Sequence, residues 1–294
     1  MKSVVWINGE WRGPEQCIGA NDRGYLLGEG AFETMLCRDG APVFFDAHIA
    51  RLMHGLEVLN IPSPDVEALR SVIPALASKN NLQNTDAILR LTVTRGGAGR
   101  GLAPPADKSG APLYPSCLMT IDPAPQPPAS PVSLHISGDT VFAGAPERAF
   151  KAIAGYGPHL RARYEAAAAG AEDAVMLNER GHVVSASAAT LFALTGLRQL
   201  ITPPLEDGAL PGVTRGKLLA LASRAGLSAV ERTLFPADLE RFDLFLANSI
   251  LRTQPARLSG CACTRRKGAQ NAAIGRLAAL LSAEIENDMK KSQS

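Results

Sequence analysis

The sequence predicts an α+β fold in two domains. Three observations carry this. Short alternating or β-branched runs mark strands along the whole chain, five segments between them have helical apolar spacing, and one proline-rich stretch divides the chain near its middle. That stretch, "DPAPQPPASP" at 122–131, holds five prolines in ten residues. Proline lacks an amide donor and fixes φ, so neither a helix nor a central strand runs through it. The predicted division is a small domain over 1–121, a linker over 122–131 and a larger domain over 132–294. A chain of 294 residues is long enough to give each domain its own core.

The elements follow in order. "SVVWINGEW" reads as a hairpin turning at Asn8-Gly9, and "GAFETMLCRDGAPVFF" as two strands around Asp39-Gly40. "DAHIARLMHGLEVLNI" has helical spacing with Asp46 as its expected N-cap, and "PDVEALRSVIPALASKN" is a second helix. "DAILRLTVTRG" and "SCLMTI" are strands on either side of a segment dense in Gly and Pro. Beyond the linker, "VSLHIS", "DAVMLN", "ATLFAL" and "FDLFLANS" are strands. "GHVVSASAATLF" at 181–192 reads as strand, turn, strand. "PHLRARYEAAAAGA" is a helix. "PGVTRGKLLALASRAG" is another, with Pro211 ahead of it and Gly226 past its end. "NAAIGRLAALLSAEIENDMKK" is an amphipathic C-terminal helix.

Composition excludes several classes. The hydrophobic share is 46% and the charged share 20%, with a formal net charge of +2 and basic residues scattered rather than striped, so no nucleic-acid footprint is expected. No apolar run reaches the roughly 18 residues that span a bilayer. The N-terminus lacks the apolar core and small-residue cleavage site of a signal peptide, which makes a cytoplasmic location the expectation. Five cysteines at scattered positions suggest no disulfide framework. "CAC" at 261–263 has no second Cys or His pair at ligand spacing, and no metal is expected.

Single residues give weak signals. Lys151 in "ERAFKAIAGYG" sits among small and apolar neighbours, which could desolvate its amine and make it a nucleophile; the alternative is a snorkelling surface lysine. "LPGVTRG" offers backbone N–H groups and a Thr hydroxyl at a helix start, which suits a phosphate or simply caps the helix. Arg51 in "HIARL" could pair at the surface. Arg95 and Arg100 in "TRGGAGRG" could clamp a carboxylate or belong to a basic loop.

In sequence order these pieces are more informative. "DRGYLLGEGAFETM", "HIARL", "RLTVTRGGAGRG", the lysine, "EDAVMLNERGHV", "LITPPLEDGALPGVTR" and "FLANSILRTQP" together resemble the fold-type IV pyridoxal-phosphate enzymes. That group includes branched-chain and D-amino-acid aminotransferases and 4-amino-4-deoxychorismate lyases. The resemblance spans about 5–258 and implies a small α/β domain, a larger β-barrel-like domain, pyridoxal 5'-phosphate in the cleft between them, and a homodimer. By resemblance Lys151 forms the Schiff base and then acts as acid/base at the substrate α-carbon. Tyr156 bonds the cofactor's phenolic oxygen. Arg51, Val213, Thr214, Ser249 and Ile250 hold its phosphate. Phe32, Arg95, Arg100 and Arg252 are candidates for substrate binding, and Thr34 and Asn248 for catalysis. Asn248 and the Gly-Arg-Gly loop favour the lyase over an aminotransferase for branched-chain or D-amino acids.

One stretch departs from the family. "GHVVSASAATLF" has Ser185 where a glutamate pairs with the cofactor's pyridine nitrogen, and Thr190 where an asparagine is usual. A carboxylate keeps that nitrogen protonated by its opposite charge; a serine hydroxyl cannot. A lyase whose product is aromatic tolerates the weaker electron sink better than an aminotransferase does. A diverged cofactor-binding member with low activity is the remaining alternative.

Overall fold

The computed structural model describes residues 3–97, 101–103, 114–196, 198–260 and 269–292. Arg100, Cys261 and Cys263 lie outside them. The chain forms two compact units. The first comprises Met1–Pro125, Phe150–Ala154 and Asp288–Ser294; the second comprises Gln126–Ala149 and Gly155–Asn287. The division falls inside the proline-rich stretch. It departs from the sequence boundaries where two later segments, one carrying Lys151, fold with the first unit. Such long-range returns follow from packing and leave no local compositional mark.

In the first unit, β1 (Val5–Ile7) and β2 (Glu10–Arg12) form the expected hairpin. Asn8 and Gly9 both take positive φ, 48° and 91°, as the tight right-twisting turn requires. A short helix α1 (Arg23–Leu27) precedes β3 (Gly30–Arg38) and β4 (Ala41–Pro42). Helices α2 (Phe45–Val58) and α3 (Val66–Lys79) follow, then β5 (Ala87–Thr94) and β6 (Ser116–Pro123). The six strands form one sheet in the order β2-β1-β6-β5-β3-β4. Period-2 alternation sorts its faces: Ala87, Leu89, Leu91 and Val93 of β5 are buried, while Arg90 between them is exposed. Leu52, Leu56, Leu69, Ile73 and Leu76 of the two helices complete the core. Asp46 is not the N-cap of α2. Phe44 holds that position at φ 54°, and Asp46 lies in the first turn, where its carboxylate takes the Arg70 guanidinium.

The second unit is built on β7 (Val132–Val141), β8 (Asp173–Asn178), β9 (Val183–Ala186), β10 (Thr190–Leu194), β11 (Gln199–Thr202), β12 (Ser228–Glu231), β13 (Asp243–Ala247) and β14 (Gln254–Leu258). Its helices are α4 (Gly157–Ala168), α5 (Val213–Leu221), α6 (Pro236–Leu239) and α7 (Ala269–Ser292). The eight strands run β12-β11-β10-β13-β14-β7-β8-β9 in one curled sheet. Thus "GHVVSASAATLF" does give two strands, but they are not a ladder pair: β9 is an edge strand on β8, while β10 lies between β11 and β13. Across β10 and β13, Phe192 faces Phe245 with rings stacked at 5.0 Å. Both are fully buried and fix the register of that pair. Among the described residues, no helix is long and apolar enough to cross a membrane.

Candidate active site

The predicted site residues fall into two clusters, one within each unit. In the first, Lys151 is placed by backbone pairing. Its carbonyl accepts the Phe32 N–H at 2.9 Å, the Ile153 N–H donates to the Gly30 carbonyl at 2.9 Å, and Ala31 and Ala152 form an antiparallel bridge. The segment therefore acts as a short extra strand along β3. Phe150, 2% exposed, anchors it in the core against α2. That contact needs a glycine: a Cβ on Gly55 would stand 2.5 Å from the Phe150 ring. Gly55→Ala is expected to cost about 1–3 kcal/mol through overpacking. It should also displace the lysine segment, which thermal unfolding and the rate of Lys151 chemical labelling would show together.

The Lys151 Nζ lies 3.5 Å from the Thr34 hydroxyl and 4.6 Å from the Phe32 ring centroid. Burial lowers its pKa to about 8, with Arg51 and Arg90 adding to the effect and Glu33 opposing it. Roughly a tenth of the amine is then uncharged at pH 7, against about one in several thousand for an ordinary lysine. This is the electrostatic state of a nucleophilic or proton-transferring amine, not of a solvated one.

Arg51 faces Glu33 in a two-point pair, Nε to Oε1 and Nη2 to Oε2, each 2.7 Å. Beside it, Arg90 sits opposite Thr34 in the β3–β5 ladder, and its guanidinium carbon is 3.8 Å from the Phe32 ring centroid. Phe32, Thr34 and Arg90 therefore share one face of the sheet. Arg90 was not singled out in the sequence. The signal was present in "DAILRLTVT", where Arg90 and Thr92 alternate with buried Leu89, Leu91 and Val93.

Arg95 is held by partners within the first unit. It is 8% exposed, and its guanidinium donates to Glu29 at 2.8 Å, to the Asn60 carbonyl at 2.6 Å and to the Leu59 carbonyl at 2.7 Å. It ties α2's C-terminal end to the "GEG" turn. Sequence could not foresee this, because the neutralising Glu29 lies 66 residues away.

In the second unit, Gly212 caps α5 with no side chain to satisfy the first-turn N–H groups, and the helix starts Val213, Thr214, Arg215. Thr214 and Arg215 are each 5% exposed. Arg215 anchors this turn by donating to the Pro203 carbonyl at 3.0 Å and to Glu231. Thr190 packs against it: a Cβ on Gly212 would lie 3.3 Å from the Thr190 hydroxyl.

Asn248 closes the turn that follows β13. Its Oδ1 accepts the N–H groups of Ile250 at 2.9 Å and Leu251 at 2.7 Å, and its Nδ2 donates to the Ala188 carbonyl at 3.1 Å. An asparagine side chain that closes a turn in this way is a positioning residue. Ser249 and Ile250, the turn's two phosphate candidates, follow it directly, and the Ile250 N–H is the one that meets Asn248 Oδ1. Arg252 ends the turn at φ 58°, its N–H on the Asn248 carbonyl at 2.9 Å.

Tyr156 stands before α4 with its ring 5.5 Å from that of His159, and lines a cavity of about 510 Å³ together with Ser187, Ala188 and Leu251. His159 shares a hydrogen bond at 3.1 Å with Arg148, whose Nε donates to the Gly208 carbonyl at 2.7 Å. Ser185 lies half-buried on β9, opposite Met176.

The chain belongs to the class IV aminotransferase family, whose model matches residues 30–258. A Methanocaldococcus jannaschii protein, provisionally named a branched-chain-amino-acid aminotransferase, is 29% identical over 85% of this chain and 86% of its own length. The bifunctional aminodeoxychorismate lyase / D-amino acid transaminase of Mycobacterium tuberculosis is 27% identical over 80% of this chain and 83% of its own. The crystal structure of Escherichia coli branched-chain amino acid aminotransferase matches the fold with a TM-score of 0.85, covering 97% of this chain and 95% of that one at 22% identity. The cofactor is pyridoxal 5'-phosphate. The residues present suit it: in the first unit a desolvated lysine amine and an arginine fork answer an aldehyde and a phosphate, and in the second a helix start lacking a side-chain cap offers N–H groups of the kind a phosphate takes.

Proposed function

We propose that this enzyme is a lyase that releases pyruvate from 4-amino-4-deoxychorismate and leaves 4-aminobenzoate. The observation that carries the reading is the Thr34 hydroxyl 3.5 Å from the Lys151 amine, on a face that also presents Arg90. The bound cofactor withdraws electrons from the ring carbon that bears the amino group. Lys151 takes the proton from that carbon. The neighbouring ring C–O bond breaks, the ring becomes aromatic, and the departing enolpyruvate gains a proton at its methylene carbon to become pyruvate. Thr34 is the hydroxyl placed to pass that proton from the lysine, and no oxidant or water is consumed. Arg90 supplies a cation for a substrate carboxylate.

Arg51, Thr214 and Ser249 serve as the phosphate partners, with Tyr156 at the phenolic oxygen and Ser185 at the ring nitrogen. Ser185 brings no charge, so the driving force of aromatisation supports this reaction better than amino-group transfer. Transfer between amino acids and 2-oxo acids is the second reading, supported by the relatives named for it. A homodimer is the proposed assembly, supported by the exposed apolar row Tyr25, Leu26 and Leu27 on α1.

Incubation with aminodeoxychorismate, beside a panel of D- and L-amino acids with 2-oxo acids, tests the reading. Equal amounts of pyruvate and 4-aminobenzoate, with negligible amino transfer, are expected. Rapid transamination without pyruvate release would overturn it.

A further inference from the structure

Glu33 belongs to no role so far assigned, yet it is the most enclosed charged group of the first unit, with its side chain 0% exposed. Three donors converge on it. His48 Nδ1 reaches Oε2 at 2.7 Å, and the two-point pair with Arg51 supplies the others at 2.7 Å each. Burial raises the carboxyl's pKa, but the His48 and Arg51 hydrogen bonds and charges outweigh it and hold the group at about 2. It is therefore ionised at every working pH. His48 is 1% exposed, and burial shifts it toward the neutral ring. A neutral ring facing a carboxylate carries its proton on Nδ1 and donates it.

The sequence geometry explains the convergence. His48 and Arg51 are three residues apart on α2, so both project from one side of the helix onto the same carboxylate. Glu33 lies between Phe32 and Thr34 on β3, the two residues that touch the lysine amine. The charged and titratable groups around Lys151 are Glu33 from β3, His48 and Arg51 from α2, and Arg90 from β5. Glu33 is the one that favours the protonated amine; burial, Arg51 and Arg90 all oppose it.

We propose that Glu33 and His48 are positioning residues that act as a unit: Glu33 locks the Arg51 fork in a single orientation, His48 completes the carboxylate's shell, and the same carboxylate sets the charge balance of Lys151. The assignment rests on the reading of Arg51 and Lys151 as cofactor residues. Without Glu33, the Arg51 guanidinium would lose the two-point pair that fixes its fork, and would meet a phosphate in a less defined orientation. Without His48, the carboxylate would keep Arg51 but lose one of its donors.

The test uses the cofactor-free and cofactor-loaded forms of the full chain. In the cofactor-free protein, the pH midpoint of Lys151 acylation is followed by peptide mass mapping. Glu33→Gln is expected to lower that midpoint by about one unit, because the only charge favouring the ammonium is gone. A merely structural role predicts the opposite sign: loosened packing admits water and raises the midpoint toward the ordinary lysine value. Pyridoxal-phosphate affinity, read by absorbance titration, should fall about tenfold in the same variant.

His48→Asn keeps an N–H donor near the Nδ1 position and is expected to hold both readouts within about twofold, whereas His48→Ala should lose affinity several-fold. An unchanged or raised midpoint in Glu33→Gln, or equal behaviour of the two His48 variants, would overturn the proposal; the His48 pair decides it if Glu33→Gln does not fold. Wild-type protein that binds no pyridoxal phosphate would overturn the cofactor reading instead, and the acylation midpoint would still report on Glu33 and Lys151.

Discussion

Lys151→Ala is expected to remove the covalent link to the cofactor and to lower turnover by on the order of 10⁴-fold or more. General acid–base transfer by a positioned group is worth about 10²–10⁴ by itself, and in the proposed mechanism this side chain provides both the bond and the proton. Its neighbours cannot replace it. Thr34 offers a hydroxyl and Arg90 a guanidinium, and neither group forms the imine that a lysine amine forms with an aldehyde. The variant should still fold, because the segment is held by the Phe32 and Ile153 backbone hydrogen bonds and by Phe150, none of which involves the amine. Loss of the visible absorbance band of the bound cofactor, with thermal unfolding near that of the wild type, is the measurement. A variant that kept the band would place the reactive lysine elsewhere.

The second large effect is expected from Ser185→Glu. A carboxylate within about 4–6 Å shifts a neighbouring group's pKa by roughly 1–3 units toward its charged form. In the proposed arrangement, with residue 185 facing the ring nitrogen, a glutamate should therefore protonate a nitrogen that a serine would leave mostly neutral. The ratio of amino-group transfer to pyruvate release should rise by about tenfold or more. Ser185 is half-buried on an edge strand of the eight-stranded sheet. Both products are measured in one incubation with an amino acid, a 2-oxo acid and aminodeoxychorismate. An unchanged ratio in a variant that still binds the cofactor would mean that residue 185 does not face the ring nitrogen.

Much of the fold was legible because it is locally encoded. Asn8-Gly9 specifies a turn with two positive φ values, and the structure has them. The alternation in "DAILRLTVT" and the helical spacing in "HIARLMHGLEVL" each name a buried face without reference to the rest of the chain. Asp46 shows where this reasoning stops: an acid near a helix start reads as a cap, yet Phe44 took the position and Asp46 turned to Arg70. Arg95 shows the same thing for charge. A basic residue in a glycine-rich loop looks free until Glu29 and two carbonyls are folded around it. Asn248 shows it for chemistry, since an amide that reads as catalytic closes a backbone turn.

The sequence by itself determined the family, the cofactor, the order of the longer strands and helices, and the substitution at Ser185, because motifs and periodicity are properties of neighbouring residues. Tertiary structure alone decided which charges are already spent. Glu33, His48, Arg51, Arg90 and Lys151 come from four separated stretches, and their joint electrostatics exist only once β3, α2, β5 and the lysine segment are packed. Coulomb interactions and desolvation depend on distance and burial in space, and neither quantity can be read along a chain.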